Sequence, residues 1–128
     1  MLFNKIHHIA IICSDYERSK EFYVNMLGLE IINEVYREER ESYKLDLALN
    51  GQYVIELFSF PNAPERPSYP EAQGLRHLAF EVDHIEEAYT ALLKKEIIPE
   101  EVRTDAYSGK KFTFFSDPDG LPIEIYEK

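Results

Sequence analysis

Four residues have the types and spacing to do chemistry together: His8, Glu56, His77 and Glu124. Each histidine opens a β-prone apolar run, "KIHHIAII" and "RHLAFEV", and each glutamate interrupts another, "QYVIELFSF" and "LPIEIYE". A carboxylate flanked by apolar neighbours such as Val54 and Phe58 is costly to bury unless it gains a proton, a cationic partner or a metal. Two imidazoles and two carboxylates are a donor set for one divalent first-row ion (Zn, Ni, Fe, Mn or Co), with positions left over for water or substrate. The spacing matches no local metal motif. Its weight comes from symmetry: His8 and His77 stand 69 residues apart, Glu56 and Glu124 stand 68 apart.

The same offset of 69 relates Ser14 to Asp83, Glu17 to Glu86 and Gly51 to Gly120, so the chain reads as two copies of one βαβββ unit. In the first copy "SDYE" has the form of a helix capping box, predicting a helix from Asp15 to Leu27 that buries Ser19, Tyr23, Met26 and Leu27 and ends at Gly28. "EIINEVYREE", "SYKLDLALN" and "QYVIELFSF" follow as strands, with "REERES" and "NG" at the turns. In the second copy "DHIE" offers Asp83 as a cap for a helix with the stripe Ile85, Ala88, Tyr89, Leu92 and Leu93. "IIPEEVR", "KKFTFFS" and "LPIEIYE" complete it, with "DPDG" as the last turn. Between the copies "PNAPERPSYPEAQG" carries four prolines, which forbid a regular element. The expectation is an α+β fold of two tandem modules, 1–60 and 75–128, joined by a connection at 61–74 and making one domain, because neither copy is long enough to cover its own sheet.

Strand parity decides which side chains share a face. Leu78, Phe80 and Val82 belong under the second helix, leaving His77, Ala79 and Glu81 on the other face; carried back by the repeat, His8, Ala10 and Ile12 look away from the first helix, while His7 joins Ile9, Ile11 and Cys13 beneath it. Ile55, Leu57, Ile123 and Ile125 are the helix-facing residues of the last strands, so Glu56 and Glu124 fall on the face of His8 and His77. Ala10 and Ala79 leave room there. Lys44 and Asp46 alternate with Tyr43, Leu45 and Leu47 and are expected to line the hollow. Arg66, Tyr69 and Arg103 are candidates for holding an anionic substrate. Phe112 and Phe114 are assigned to the core and Phe115 to the pocket, and His7 and His84 are given no chemistry.

The composition of the 128 residues, 45% hydrophobic and 30% charged, is that of an ordinary globular protein, with no run long enough for a membrane span and no secretory leader before the first strand. A net charge of −10 argues against nucleic acid and anionic membrane as partners, which are bound through Lys and Arg. The single Cys13 fits a reducing cytoplasm. Open sheet edges are commonly closed by a second copy, so a homodimer is expected.

On "HHIAI", "FYVNMLGLE", "YVIELF", "LRHLAFEV" and "FFSDPDGLPIEIYE" the chain resembles the vicinal oxygen chelate superfamily, which includes glyoxalase I, methylmalonyl-CoA epimerase, extradiol dioxygenases and the fosfomycin and bleomycin resistance proteins. The resemblance implies paired βαβββ modules curved around a metal held at His8, Glu56, His77 and Glu124. Two His and two Glu are most similar to glyoxalase I, and to small bacterial glyoxalase-like proteins. The implied reaction is isomerisation of a hemithioacetal or related small carbonyl compound, by proton abstraction α to a carbonyl with a metal-stabilised enediolate. Glu124 is then the base, with Glu56 its near-symmetric counterpart. No residues match those with which glyoxalase I grips glutathione. The alternatives within the resemblance are an extradiol-type dioxygenase, an epimerase, or a resistance protein that binds a drug or metabolite without catalysis.

Overall fold

The computed structural model describes residues 1–128, which divide into two units, Met1–Glu65 and Arg66–Lys128. In the first unit Ile9–Cys13 forms β1, whose alternating side chains bury Ile11 and Cys13 and expose Ile12. A helix follows over Tyr16–Lys20 (α1) and continues as a wider helical turn over Glu21–Met26, closed by Gly28 at φ 84°. The helix begins one residue later than the capping-box reading predicts. Asp15, not Ser14, is its cap, and its carboxylate accepts from the Arg18 N–H at 3.2 Å. The later turns widen because Leu27 N–H reaches back five residues to the Phe22 carbonyl. Ser19, Phe22 and Tyr23 are buried on the inner face, while Met26 and Leu27 are half-buried.

Glu30–Arg37 (β2), Ser42–Leu49 (β3) and Gln52–Ser59 (β4) complete a four-stranded sheet in the order β1-β4-β3-β2, with β1 parallel to β4 and the other pairs antiparallel. Asn50 and Gly51 both take positive φ, as a two-residue hairpin turn requires. Leu45, Leu47, Ile55 and Leu57 are fully or almost fully buried, each such side chain contributing about 1.5–3 kcal/mol. Between Leu47 and Ala48 the pairing skips Val54, so that Leu47 faces Ile55 and Ala48 faces Tyr53. Such a bulge turns a side chain off strict alternation. Here it brings Tyr53 onto the face of Glu56.

The second unit repeats this plan. Leu78–Val82 (β5), Ile85–Lys94 (α2), Arg103–Thr104 (β6), Lys111–Ser116 (β7) and Pro122–Glu127 (β8) form a sheet in the order β5-β8-β7-β6, again with the first and last strands parallel. Asp83 does not cap α2. His84 is the flanking residue and makes no capping bond with its side chain; instead Glu127 on β8 accepts from the Ile85 N–H at 2.9 Å. The strand expected at "IIPEEVR" shrinks to Arg103–Thr104. Pro99 has no N–H to give a ladder, and the chain there is held to β7 by separate bonds, Glu100 N–H to the Phe114 carbonyl and Thr113 hydroxyl to the Glu100 carbonyl. Asp117 organises the last turn by accepting from the Asp119 and Leu121 amides, both at 2.9 Å.

Phe115 is a correction to the parity assigned from sequence. It pairs with Ile123 and lies in the core at 6% exposure, whereas Phe114 pairs with Glu124 and shares its face. The alternation of Thr113, Phe115, Ile123 and Ile125, all buried, fixes this. His7 is likewise not beneath the helix: it lies two residues ahead of β1, beyond the reach of the alternation that still governs His8 next to the strand, and is exposed.

Candidate functional site

In the first unit Ala10 is the register partner of Glu56, and Asp46 is its partner on the other side. His8, two residues before Ala10, therefore rises on the same face, with Nε2 at 3.5 Å from Glu56 Oε1. Two carboxylates directly opposite one another on neighbouring strands repel. Lys44 resolves this. Its ammonium lies 2.8 Å from Asp46 Oδ2 and 3.3 Å from Glu56 Oε2. The Tyr53 hydroxyl donates to Asp46 Oδ1 at 2.8 Å, and the Tyr53 ring stacks on the His8 imidazole, with centroids 4.9 Å apart and planes 4° from parallel. His7 completes the group, with its Nδ1 at 2.9 Å from His8 Nδ1 and its ring edge-on to Tyr53.

These contacts set the ionisation. Burial works against the Asp46 carboxylate, but hydrogen bonds from Lys44 and Tyr53 outweigh it and hold the group below the usual carboxylate range. The Lys44 ammonium is raised above its ordinary value, first by Asp46 and then, against burial, by Glu56. Burial and the bond to Asp46 push the Tyr53 hydroxyl up, so it stays a donor.

In the second unit the matching register holds: Ala79 pairs with Glu124, and His77 stands two residues before Ala79 with Nε2 at 3.9 Å from Glu124 Oε1. The surroundings differ. Phe114 occupies the strand position that Asp46 holds in the first unit, and the His77 ring meets it edge-on at 5.0 Å. His77 Nδ1 is buried without a hydrogen-bond partner. A hollow of about 180 Å³ opens beside His77, and Tyr69, Arg76, Arg103 and Phe114 contribute to its wall.

Of the residues expected around a substrate, Tyr69 and Arg103 border this hollow, and Lys44 and Asp46 lie against Glu56. Arg66 serves the backbone instead: its Nε donates to Ser68 Oγ at 2.6 Å and one terminal nitrogen to the Leu75 carbonyl at 3.0 Å, pinning the proline-rich connection. Sequence reasoning missed Tyr53, which strict alternation sends to the core, and Arg76. The repeat held a signal for Arg76, because the offset of 69 matches it to His7, the other neighbour of a paired histidine.

Each unit thus brings one imidazole nitrogen and one carboxylate together. Nowhere do three His, Cys, Asp or Glu side chains gather as a group able to hold a metal. The donor chemistry of each pair nonetheless suits a divalent first-row ion. His8 has its Nδ1 engaged by His7 and its Nε2 turned to Glu56, the division of labour that orients a ligating imidazole.

Residues 5–125 match the model of the Glyoxalase/Bleomycin resistance protein/Dioxygenase superfamily, and the chain belongs to that superfamily. Members of it commonly use a divalent metal and bind small molecules. Among solved structures, a glyoxalase family protein from Enterococcus faecalis is 52% identical, with a TM-score of 0.92 over 99% of this chain and 100% of that one. The uncharacterized protein YwkD of Bacillus subtilis is 64% identical over the full length of both chains. More distant relatives carry named activities. Human mitochondrial methylmalonyl-CoA epimerase is 31% identical over 94% of this chain and 72% of its own, and the lactoylglutathione lyase of Salmonella typhimurium is 28% identical over 96% and 92%. No helix is long and apolar enough to cross a membrane.

Proposed function

We propose that this protein is a metal-dependent lyase or isomerase of the glyoxalase I kind, acting on a hemithioacetal or related small carbonyl compound. The observation that carries the reading is the repeated register. In each unit a histidine lies two residues ahead of an alanine paired with a glutamate, and these glutamates stand on the sheet face away from the buried strand residues. His8 with Glu56, and His77 with Glu124, supply the donors for a divalent ion. A bound ion supplies positive charge against the negative charge that develops on a carbonyl oxygen as a neighbouring C–H is deprotonated.

The rest falls to the chain. Glu124 takes the proton from the carbon α to the carbonyl and returns it to the adjacent carbon, so the product is an isomer and no redox partner is needed. Glu124 suits this role because its ion-pair contact is a histidine at 3.9 Å, whereas Glu56 is tethered by the Lys44 ammonium. Tyr53 holds the His8 ring in plane through stacking. The working form is a cytoplasmic homodimer. Apolar residues exposed along the edge strand β2, Ile31, Ile32, Val35 and Tyr36, support pairing with a second copy, and Cys13, buried and the chain's single cysteine, suits a reducing compartment.

Elemental analysis of protein reloaded with Zn, Ni, Mn, Fe or Co after chelation tests the metal: the expectation is stoichiometric bound ion, reduced in His8→Ala and in Glu124→Ala. The reloaded protein should then turn over methylglyoxal with a thiol. Absence of bound metal under every loading condition would overturn the reading and leave a metal-free drug- or metabolite-binding protein. A second reading, an epimerase of acyl thioesters, is favoured by the human relative's slightly higher identity. It uses the same proton abstraction. Solvent deuterium entering an acyl thioester, without turnover of thiol and methylglyoxal, would select it.

A further inference from the structure

The hollow beside His77 is lined by two guanidinium groups, Arg76 and Arg103, and by two carboxylates, Glu71 and Glu100. With a net charge of −10 the molecule repels anions at a distance, yet Arg76 and Arg103 both reach this one hollow. Arg103 is held in place by ring stacking, its guanidinium carbon lying 5.0 Å from the centre of Phe112 and 5.6 Å from that of Phe114. A guanidinium laid on aromatic faces keeps its N–H edge free for a second partner.

The present partners are loose. Arg103 meets Glu100 at 3.3 Å and Arg76 meets Glu71 at 3.8 Å, all four side chains being more than half exposed. Ion pairs of that kind contribute about 0–1 kcal/mol. An incoming oxyanion that accepts two parallel N–H bonds gains more than it displaces. The volume, about 180 Å³, is below the roughly 300 Å³ at which pockets for drug-sized ligands begin. Phe114 and Pro122 supply apolar wall for a short carbon skeleton.

We propose that this hollow is an oxyanion subsite in which Arg103 and Arg76 hold the carboxylate or phosphate of a compact carbonyl substrate, placing its carbon skeleton toward His77. The assignment rests on His77 belonging to the reaction centre, and it narrows the substrate class to small anionic carbonyl compounds.

The test uses full-length protein treated with chelator, so that a bound ion cannot itself capture the anion. It is titrated at constant ionic strength with inorganic phosphate and, separately, with pyruvate, following the backbone amide resonances of residues 75–78 and 103. Saturable shifts at millimolar ligand are expected, weakened roughly tenfold or more in Arg103→Met and in Arg76→Met and unchanged in Arg18→Met. Saturation by phosphate alone points to a phosphate ester, by pyruvate alone to a carboxylate, by both to a shared oxyanion site. No saturation up to tens of millimolar, or affinity unaltered in the Arg103 and Arg76 variants, overturns the proposal. Because metal content is measured separately, a protein that binds these anions but no metal would sink the metal reading alone.

Discussion

Replacing Lys44 with methionine keeps the length of the side chain and removes the one positive charge between Asp46 and Glu56. The cost can be worked from the geometry. The ammonium lies 2.8 Å from one carboxylate and 3.3 Å from the other, and the three side chains are 26%, 12% and 15% exposed. Exposed ion pairs are worth about 0–1 kcal/mol, while stripping one partner from a buried pair costs about 3–5 kcal/mol. Groups this well covered, but still touched by water, fall between. Asp46 and Glu56 are moreover directly opposed on adjacent strands, so their mutual repulsion is no longer offset. Lys44→Met should therefore lose about 2 kcal/mol, a fall of roughly 8 °C in Tm for a chain of this size. Urea unfolding in chelator-treated buffer reads this directly, as a lower midpoint with an unchanged slope. Adding Glu56→Gln removes half of the stranded charge, so the double variant should be more stable than the sum of the two single losses predicts. Added divalent ion should recover more stability in Lys44→Met than in the parent, since it replaces the missing charge. A loss below about 0.5 kcal/mol, within the range of ordinary surface substitutions, would refute the reasoning and make the cluster an ornament of the surface.

Two further outcomes are expected. Glu127→Ala should cost about 1 kcal/mol by leaving the first N–H of α2 unpaired, and amide exchange should rise first at Ile85 and along the opening turn of that helix rather than in β7. Glu34 accepts hydrogen bonds from Lys20 and Tyr16, which hold its carboxyl below the ordinary carboxylate range. Its stabilising effect is thus complete above the unfolded value of about 4.3 and is lost as pH falls through the depressed folded value. The gap in urea midpoint between the parent and Glu34→Gln should be widest near neutrality and narrow only as pH falls below the ordinary carboxylate value of about 4.3.

The order of elements, the tandem units and the shared face of His8 with Glu56 and of His77 with Glu124 were legible because buried strands alternate strictly, and the offset of 69 carried one unit's parity to the other. Parity failed where its premise failed. His7 lies two residues ahead of the first strand, past the point where alternation, which carries on to His8, still dictates a side. Tyr53 sits at a bulge whose extra residue, Val54, carries no turn signal of its own. Phe114 and Phe115 are chemically equivalent, and a stretch with aromatics at 112, 114 and 115 leaves the choice of face to pairing with β8. Capping shows the other limit: Asp83 has the right chemistry at the right place, but a carboxylate from a distant strand, Glu127, reaches the helix end first. Arg66 and Arg76 are indistinguishable by composition, and only tertiary contacts make one a brace for the connection and the other part of a cavity wall.

The pairing that sets Glu56 beside Ala10 also keeps Ile55 and Leu57 in the buried layer, so sliding β4 by one residue would bury a charge and discard the donor in one stroke. Packing alone therefore polices the alignment of the chemical groups, whether or not selection still acts on catalysis. If the proposed reaction is the protein's own, a descendant that gave it up would keep the scaffold aimed the same way. Positions 8, 56, 77 and 124 then become interchangeable sockets, where new side chains can be tried without disturbing the interior.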